Sequence, residues 1–328
     1  MILILSRGVS ETSTNKVIDY LISLGVAFFR FNGDDFFNQK TKINFYFNQN
    51  ESKWEFDISS NEIAFTSRDV NVVWYRRDFF DELEKLSENQ IVNNFLKGEA
   101  RKTYDLFYLS LKDKVWINKP NEISNKLFIL EQASKIGLPI PNSFVTNNLE
   151  FIEIINSKEK LITKPVSEGV GIVENNTKIT TFTALLDIEK IKAEVLENEN
   201  FIFPSLFQSQ IEKEYEIRVF YFFEKCYSMA IFSQNDEKTK VDFRDYNNEM
   251  PNKMSRYKLP EQVEDKVKNI MNLLNMNSGS IDFIRSKGGN YIFLEINPVG
   301  QFDFLEIQGN YNLSEILAHK LVALDEKK

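Results

Sequence analysis

The stretch SIDFIRSKGGNYIFLEINPVGQ, residues 280–301, constrains the fold more than any other part of the chain. Two apolar, strand-like runs flank the pair Gly288-Gly289, and glycine tolerates the positive φ angles of a two-residue hairpin turn. Pairing the strands outward from that turn places Asp282 directly opposite Glu295. Two carboxylates that face each other across a ladder repel unless a cation lies between them.

Asn297 adds a third oxygen donor, because residues two apart on a strand point to the same face. Two carboxylates and one amide on a single face favour a hard cation of the Mg²⁺ type. The alternative is that these residues form the solvent-exposed face of a half-buried sheet. The hairpin alone leaves both interpretations open.

Composition restricts the classes of function. With 328 residues, 42% of them hydrophobic, the chain is long enough for two or three domains. It has neither an apolar run of membrane-spanning length nor a signal-peptide pattern, so we expect a cytoplasmic protein without a membrane partner. A net charge of −8 argues against a nucleic-acid partner. Single residues Cys226 and His319 exclude an intramolecular disulfide and a His-rich zinc cluster.

The N-terminal region has the pattern of a small α/β domain, which we place at residues 1–117. ILILS predicts a strand and the following STNKVIDYLISLGV a helix. KINFYFNQ and SKWEFDIS predict a hairpin, and VNVVWYRR another strand. A long helix from about Leu83 to Leu111 closes this region.

Two lysines lie where an anion can bind. In LITKPVSEGVGI, Lys164 ends a predicted strand before a loop with Gly169 and Gly171, so an ammonium and backbone N–H groups are available together. Lys126 begins a predicted helix, whose N-terminus favours anions. The plainer alternative for the Lys164 stretch is a surface hairpin, and for Lys126 it is a solvated lysine on a helix. Neither stretch by itself distinguishes an anion site from these alternatives.

The order of SNKLFILEQASKIGLPIP, TKPVSEGVG, PSLFQSQIEKEYEIRVF and LEINPVGQ resembles the ATP-grasp superfamily along the whole chain. The resemblance implies an α+β fold with ATP and Mg²⁺ as cofactors. It also implies an N-terminal pre-ATP-grasp α/β domain at residues 1–117, a central lid domain at 118–204 and a C-terminal domain with the metal site at 205–328. ATP would be held between the last two domains.

The resemblance further implies a role for each matching residue. Lys126 and Lys164 would contact the phosphates under a loop with Gly169 and Gly171, and Arg218 would contact the transferred phosphoryl group. The hinge would bind adenine through Gln208, Ser209, Gln210 and Ile211, and Glu216 would bind the ribose hydroxyls. Mg²⁺ would be held by Asp282, Glu295 and Asn297. Many family members have a glutamate in the hinge where this chain has Gln208-Ser209-Gln210. The adenine contacts that the resemblance implies are made largely by the backbone of the hinge.

A narrower resemblance comes from VVWYRRD, FSQNDEKTKVDFRDYN and EINPVGQFDFLE. These segments are similar to ATP-grasp ligases that macrocyclise ribosomally made peptides, the graspetide or microviridin type, especially the grasp-with-spasm group. The resemblance implies that Asp242 and Arg244 handle the precursor peptide, and Arg76 and Arg77 are further candidates for peptide contact. An arginine can hold a carboxylate bidentately. The plainer alternative for VDFRD is a strand with an internal salt bridge.

The implied reaction is phosphorylation of an Asp or Glu side chain of the peptide, followed by ester closure with a Thr or Ser. Lys164, Arg218 and Arg244 would be the catalytic residues. One rival is an ATP-grasp ligase that forms amide links or adds amino acids to a protein tail. The other is a nonenzymatic nucleotide sensor or peptide-binding module. The sequence leaves the oligomeric state open, a homodimer included.

Overall fold

The computed structural model divides into two compact units, which consist of residues 1–122, 301–306 and 312–328, and of residues 123–300 and 307–311. The structure describes residues 1–7, 11–36, 41–60, 63–77, 86–120, 125–166, 171–174, 177–180, 183–197, 201–245 and 247–327. Over these residues, no helix combines the length and the apolar character needed to cross a membrane.

Helices and strands alternate through most of the chain. The helices are α1 (Thr12–Ser23), α2 (Gln90–Ser110), α3 (Lys126–Lys135), α4 (Leu149–Asn156), α5 (Ile188–Glu197), α6 (Glu261–Leu273), α7 (Asp303–Gly309) and α8 (Leu313–Asp325), with a 3₁₀ turn at Gly33–Phe36. The strands are β1 (Ile2–Ser6), β2 (Phe28–Asn32), β3 (Thr41–Asn48), β4 (Lys53–Ser60), β5 (Ala64–Thr66), β6 (Val72–Tyr75), β7 (Val115–Ile117), β8 (Ser143–Thr146), β9 (Leu161–Lys164), β10 (Gly171–Glu174), β11 (Thr177–Thr180), β12 (Ala184–Leu185), β13 (Ser205–Ser209), β14 (Lys213–Phe222), β15 (Lys225–Phe232), β16 (Lys253–Tyr257), β17 (Ser278–Ser286) and β18 (Tyr291–Asn297).

The first unit is built on a parallel sheet with the strand order β2-β1-β6-β7. Every residue of β1 is buried, as is typical of a parallel strand covered on both faces. The predicted hairpin of β3 and β4 forms and continues into β5. The predicted long helix is also present: it begins at Gln90 with Asn89 as its N-cap, and Leu83, its predicted start, lies outside the described residues.

The C-terminal helix α8 belongs to the first unit, where it packs against α1, β1 and β6. The sequence placed residues 205–328 in one C-terminal domain. The division into three domains stays a prediction, because the structure groups residues by compactness into two units. The final helix closes the core of the N-terminal unit through Leu317 and Leu321, which are buried.

The second unit contains a five-stranded antiparallel sheet, β16-β15-β14-β17-β18, and a four-stranded sheet, β12-β9-β13-β8. One face of the larger sheet packs on α3 and α6 through alternating apolar residues such as Ile217, Val219 and Ile281. Because side chains alternate along a strand, the residues between them point to the opposite face. The opposite face carries the charged groups of the candidate site.

The hairpin of β17 and β18 differs from its prediction in the length of its loop and in its register, and the two differences offset each other at Asp282. Ser286 pairs with Asn290 through the backbone, so the loop has three residues, Lys287 to Gly289, and the predicted two-residue turn is wrong. Of the two glycines only Gly289 has a positive φ, +84°. The register then shifts at Leu294, so that Phe283 faces Phe293 while Asp282 faces Glu295. The predicted pairing of Asp282 with Glu295 is therefore confirmed, by a β-bulge rather than by regular counting.

Candidate active site

A row of charged side chains crosses three neighbouring strands of the larger sheet. Arg218 on β14 lies opposite Asp282 on β17, and Asp282 lies opposite Glu295 on β18. The Nε atom of Arg218 is 2.9 Å from Oδ1 of Asp282. Burial raises the pKa of Asp282, and the nearby Arg218 guanidinium opposes that shift. Asp282 is therefore paired with Arg218, and the cationic partners of Glu295 come from other elements.

Two lysines supply those cations. Lys126 is the first residue of α3, behind an N-cap formed by Asn125, and its Nζ is 3.6 Å from Oε2 of Glu295. Lys164 is the last residue of β9, and its Nζ is 3.8 Å from the same oxygen. Burial acts to raise the pKa of Glu295, but Lys164 and Lys126 outweigh it, so the pKa is lowered. Burial lowers the pKa of Lys164.

The donor atoms on this face suit a hard divalent cation. Among the described residues no group of three or more His, Cys, Asp or Glu side chains is placed to hold a metal. Asp282 and Glu295 provide two carboxylates, and Asn297 at the end of β18 provides an amide oxygen, which accepts the backbone N–H of Val299 at 3.1 Å. Mg²⁺ is commonly bound by one or two carboxylates together with substrate phosphates and water. The set therefore fits Mg²⁺ in the presence of a phosphate ligand.

The predicted hinge runs from β13 into the loop before β14. The backbone N–H groups of Ser209 and Gln210 donate to the carbonyls of Asn142 and Lys160 at 3.0 and 2.8 Å, so both are used within the protein. The side-chain oxygens of Gln208 and Ser209 are buried and find no hydrogen-bond partner among the described residues. A buried polar atom without a partner is unusual in a folded protein.

Glu216 lies on the same face of β14 as Arg218 and is held from two sides. Nζ of Lys213 is 2.5 Å from Oε1 of Glu216, and the hydroxyl of Ser233 donates to Oε2. Burial raises the pKa of Glu216, and the contacts with Lys213 and Ser233 work against that shift. The carboxylate predicted for ribose is thus engaged by protein groups in the structure.

Asp242 and Arg244 form the internal salt bridge that was the plainer alternative for VDFRD, in a connection rather than a strand. The Nε and Nη2 atoms of Arg244 donate to the two carboxylate oxygens of Asp242 at 2.9 and 2.7 Å. The backbone N–H of Thr183 donates to the same carboxylate at 3.1 Å. Burial acts to raise the pKa of Asp242, but Arg244 holds it at about 2. The Arg244 side chain remains 44% exposed, so part of its guanidinium is accessible.

These groups line one cleft, part of which is open to solvent. The predicted site residues among its lining are Lys164, Gln208, Glu216, Asp242, Arg244, Asp282 and Glu295. Arg218 and Lys126 join them through their contacts with Asp282 and Glu295. Gly171 begins β10, Gly169 lies outside the described residues, and Ile211, the last hinge residue, lies in the loop between β13 and β14.

Arg76 and Arg77, the further candidates for peptide contact, belong to the first unit. Arg76 is only 3% exposed, and its guanidinium lies over the rings of Trp74 and Phe302. Burial lowers the pKa of Arg76 to about 10. Arg77 is more accessible and its Nε lies 2.5 Å from Oε1 of Glu11. Of the two, Arg77 is the better placed to meet a ligand.

Sequence reasoning missed Lys213, which contacts the cleft. Residues three apart on a regular strand point to opposite faces, so nothing in KEYEIR suggests that Lys213 and Glu216 meet. The register of β14 against β17 shifts between Lys213 and Tyr215, and this bulge turns Lys213 to the face of Glu216. A bulge of this kind has no reliable signal in one sequence.

Comparisons with known proteins identify the fold. The model of the MvdD pre-ATP grasp domain family matches residues 1–124. The Chryseobacterium gregarium RiPP-associated ATP-grasp ligase, solved with ADP and a leader and core peptide, is 28% identical and superposes with a TM-score of 0.83 over 98% of this chain and 96% of that one. The chain has the fold of the ATP-grasp ligases.

Two further solved structures resemble this chain. The macrocyclase MdnC from Microcystis aeruginosa MRC, solved with the precursor peptide MdnA, is 25% identical with a TM-score of 0.80, covering 98% of this chain and 99% of that one. The macrocyclase MdnB from the same organism is 24% identical with a TM-score of 0.78, covering 98% of each chain, and supports the fold alone. A sequence comparison with curated proteins gives no match. The predicted α+β fold is confirmed.

Proposed function

We propose that the protein is a peptide maturase that uses ATP and Mg²⁺ to close side-chain ester links in a ribosomally made precursor peptide. The observation that carries the proposal is the Arg244–Asp242 fork, which lines the same cleft as Lys164, Asp282 and Glu295. That cleft combines cations for phosphates, carboxylates for a metal and an arginine for a peptide carboxylate. Relatives solved with ADP and with leader, core or precursor peptides support the assignment.

The chain's own residues would act mainly by positioning and charge neutralisation, which is what phosphoryl transfer requires. In the proposal, Lys126 and Lys164 give up their contacts with Glu295 and bind the nucleotide phosphates instead. Arg218 stabilises the transferred phosphoryl group. The hinge backbone meets adenine through groups other than the N–H of Ser209 and Gln210, which the sheet already uses. The orphaned oxygens of Gln208 and Ser209 are further candidates for that contact.

Asp282, Glu295 and Asn297 would hold the Mg²⁺ ion, which when bound neutralises charge on the phosphate oxygens. Glu216 would take the ribose hydroxyls. Because Lys213 and Ser233 hold its two oxygens, ribose binding requires one of these contacts to be shared or replaced. The loop with Gly169 and Gly171 would cover the phosphates and keep water from the activated carboxylate.

For the peptide, we assign Asp242 the task of orienting Arg244, whose remaining N–H groups take the acceptor carboxylate. The γ-phosphoryl group passes to an oxygen of that carboxylate, leaving ADP and an acyl phosphate on the peptide. A Thr or Ser oxygen then attacks the acyl carbon, the bond to phosphate breaks, and the hydroxyl proton leaves with phosphate or water. We also propose that Arg77 contacts the peptide. The proposed location of the protein is the cytoplasm.

The Arg244 variants test the proposal. Losing an arginine contact to a charged partner costs on the order of 1.5 to 3 kcal/mol, or about 10- to 150-fold. Arg244→Ala should therefore keep the thermal stabilisation given by Mg-ADP but fail to dehydrate the peptide, and Arg244→Lys should rescue poorly because an ammonium lacks the fork. The measurements are thermal shift with Mg-ADP and mass spectrometry that counts lost water molecules.

A matched control is Arg285→Ala, which removes an arginine that stacks on Tyr291 and does not line the cleft. It should retain both readouts. If Arg244→Ala instead abolishes stabilisation by Mg-ADP, the arginine belongs to nucleotide binding and the peptide assignment fails. The substrate to test is the product of a short reading frame beside the gene that is rich in Thr and in Glu or Asp.

The nearest rival reaction, amide formation, loses the same water from the peptide. Mild alkali separates the two, because esters hydrolyse and regain water whereas amides resist. Products that survive alkali, or that gain the mass of a second molecule, would replace the ester proposal with an amide ligase.

A further inference from the structure

The segment that carries Asp242 and Arg244 lies in a long connection between β15 and β16. Residues 233–252 include no helix or strand among those described. Connections longer than about 12–15 residues without secondary structure are uncommon and are often functional. Their backbone groups still require partners where they are buried. The contacts that hold this connection therefore decide where the Asp242–Arg244 fork lies.

Lys213 provides one such contact from the sheet. Its Nζ donates to the carbonyl oxygen of Val241 at 2.9 Å and lies 2.5 Å from Oε1 of Glu216. The residue is only 7% exposed, so both contacts are made away from bulk water. Val241 immediately precedes Asp242, and a single ammonium thus links the carboxylate of Glu216 to the backbone beside the fork.

The bulge in β14 is what makes this link possible. Lys213 faces Ser286 and Tyr215 faces Arg285, which leaves Glu214 as the extra residue. Without the bulge, Lys213 and Glu216 would lie on opposite faces of the sheet, because they are three residues apart. Bulges of this kind re-aim side chains near functional sites.

Ser233 ties the start of the connection to the same carboxylate. Its hydroxyl donates to Oε2 of Glu216, and its carbonyl accepts from Oγ1 of Thr239 at 2.9 Å. Thr239 is fully buried and also contacts Oδ1 of Asn252 at 3.0 Å. Ser233 therefore fixes one part of the connection, whereas Lys213 fixes the part next to the fork.

We infer that Lys213 is a positioning residue that holds the backbone at Val241, so that the Asp242–Arg244 fork is presented to the peptide carboxylate. The inference rests on the proposed function, in which the fork receives that carboxylate. Lys213 contacts neither the peptide nor the reacting atoms in this assignment. Its effect is transmitted by one hydrogen bond to the main chain.

The test compares Lys213→Met with Ser233→Ala. Both variants remove a contact to Glu216, but only Lys213→Met also removes the bond to Val241. We expect Lys213→Met to raise the peptide KM at least about tenfold, equivalent to about 1.4 kcal/mol. We also expect faster amide hydrogen exchange in residues 240–245 than in wild type. Ser233→Ala should leave the exchange of that segment and the peptide KM near wild type.

The readouts separate the possible failures. Equal effects from both variants would mean that Lys213 acts through Glu216, and unchanged exchange at residues 240–245 after Lys213→Met would mean that it does not hold the segment; either result overturns the inference. If the wild type turns over no peptide, the proposed function fails, and hydrogen exchange still tests the positioning. Titration with Mg-ADP checks that each variant is folded and binds nucleotide.

Discussion

Glu295 is the residue on which the charges of the cleft converge. Lys126 and Lys164 both lie within 4 Å of its Oε2 atom, while its neighbour Asp282 is paired with Arg218. Opposite charges held in a partly buried site interact more strongly than on the surface. A metal ion between the two carboxylates would release the lysines to the phosphates. Nucleotide and metal are therefore expected to support each other's binding.

The variant Glu295→Gln tests this arrangement. The amide keeps the shape of the side chain but loses the charge that would hold a cation and that now holds two lysines. We expect a loss of roughly 10²- to 10³-fold in ADP release with peptide present, by analogy with removing one electrostatic stabiliser. The circular dichroism spectrum should remain that of a folded protein.

Glu212→Gln is the matched control, because Glu212 is 82% exposed and its nearest cation, Lys287, is 3.8 Å away. Its turnover should equal that of wild type. Wild-type turnover in Glu295→Gln would remove Glu295 from the proposed metal site.

Asp242 gives a prediction for pH. Its pKa is about 2 in the folded protein against an ordinary value of 3.8. Because the folded pKa is the lower one, the charged form stabilises the fold fully above about pH 4, and this contribution is lost as the pH falls toward 2. Asp242→Asn should lower the free energy of unfolding more at pH 7 than near pH 2, and the difference should be about 2 kcal/mol in urea titrations. A difference that does not change with pH would contradict this, and Glu237→Gln, at a side chain 89% exposed, should show no trend.

At the scale of elements, two β-bulges decide which residues reach the cleft. The irregularity at Leu294 keeps Phe293 and Ile296 in the core and turns Glu295 to the charged face. The one at Glu214 brings Lys213 to the side of Glu216. A shift of one residue moves every following side chain to the other face of a sheet. The site is thus built by departures from regular pairing.

The turn after β18 depends on Gly300. Its φ is +63°, and a Cβ atom there would lie 2.9 Å from Cε2 of Phe220. Gly300→Ala therefore adds a steric clash to the cost of left-handed backbone, about 1–2 kcal/mol for a residue with a side chain. We expect it to lower the free energy of unfolding by more than that cost alone, measured by urea titration.

Gly25→Ala isolates the backbone contribution, since Gly25 has a φ of +66° and nothing within 4 Å of the added atom. The clash predicts a larger loss for Gly300→Ala than for Gly25→Ala. Equal losses would show that the site beside Phe220 relaxes without cost.

On the scale of the whole molecule, the chain returns to its first unit at the end. α8 packs on α1 and on β1 and β6, although the whole second unit separates them in sequence. Leu317 on α8 is 1% exposed. Leu317→Ala should cost about 2–5 kcal/mol, the usual range for a buried leucine.

Hydrogen exchange shows which unit loses that stability. We expect faster exchange in β1, α1 and α8 after Leu317→Ala, with little change in β14 and β17 of the second unit. The exposed Leu273, 52% accessible on α6, offers a control substitution to Ala that should alter neither region. Faster exchange confined to β14 and β17 would contradict the grouping of α8 with the first unit.

Several local features of the chain can be predicted from its amino-acid sequence. The strand and helix that carry Lys164 and Lys126 and the hairpin of β17 and β18 follow from patterns of apolar residues and turn residues. These features depend on neighbours in sequence, and so a single chain suffices to predict them. The facing of Asp282 and Glu295 was predicted from a two-residue turn, and it holds because the longer loop and the bulge at Leu294 offset each other. The salt bridge of Asp242 with Arg244 is the plainer alternative that VDFRD suggested, and the role of the pair in peptide handling stays a prediction.

Other features of the cleft and of the fold depend on contacts between distant segments. The bulges at Glu214 and Leu294, the contact of Lys213 with Val241 and the return of α8 to the first unit arise from pairing between distant segments. Such pairings are set by how the core is filled: Phe293 and Ile296 must both lie in it, and a bulge is the backbone change that allows this. Core packing acts on the whole fold at once, which is why local patterns could not reveal which side chains would meet in the cleft.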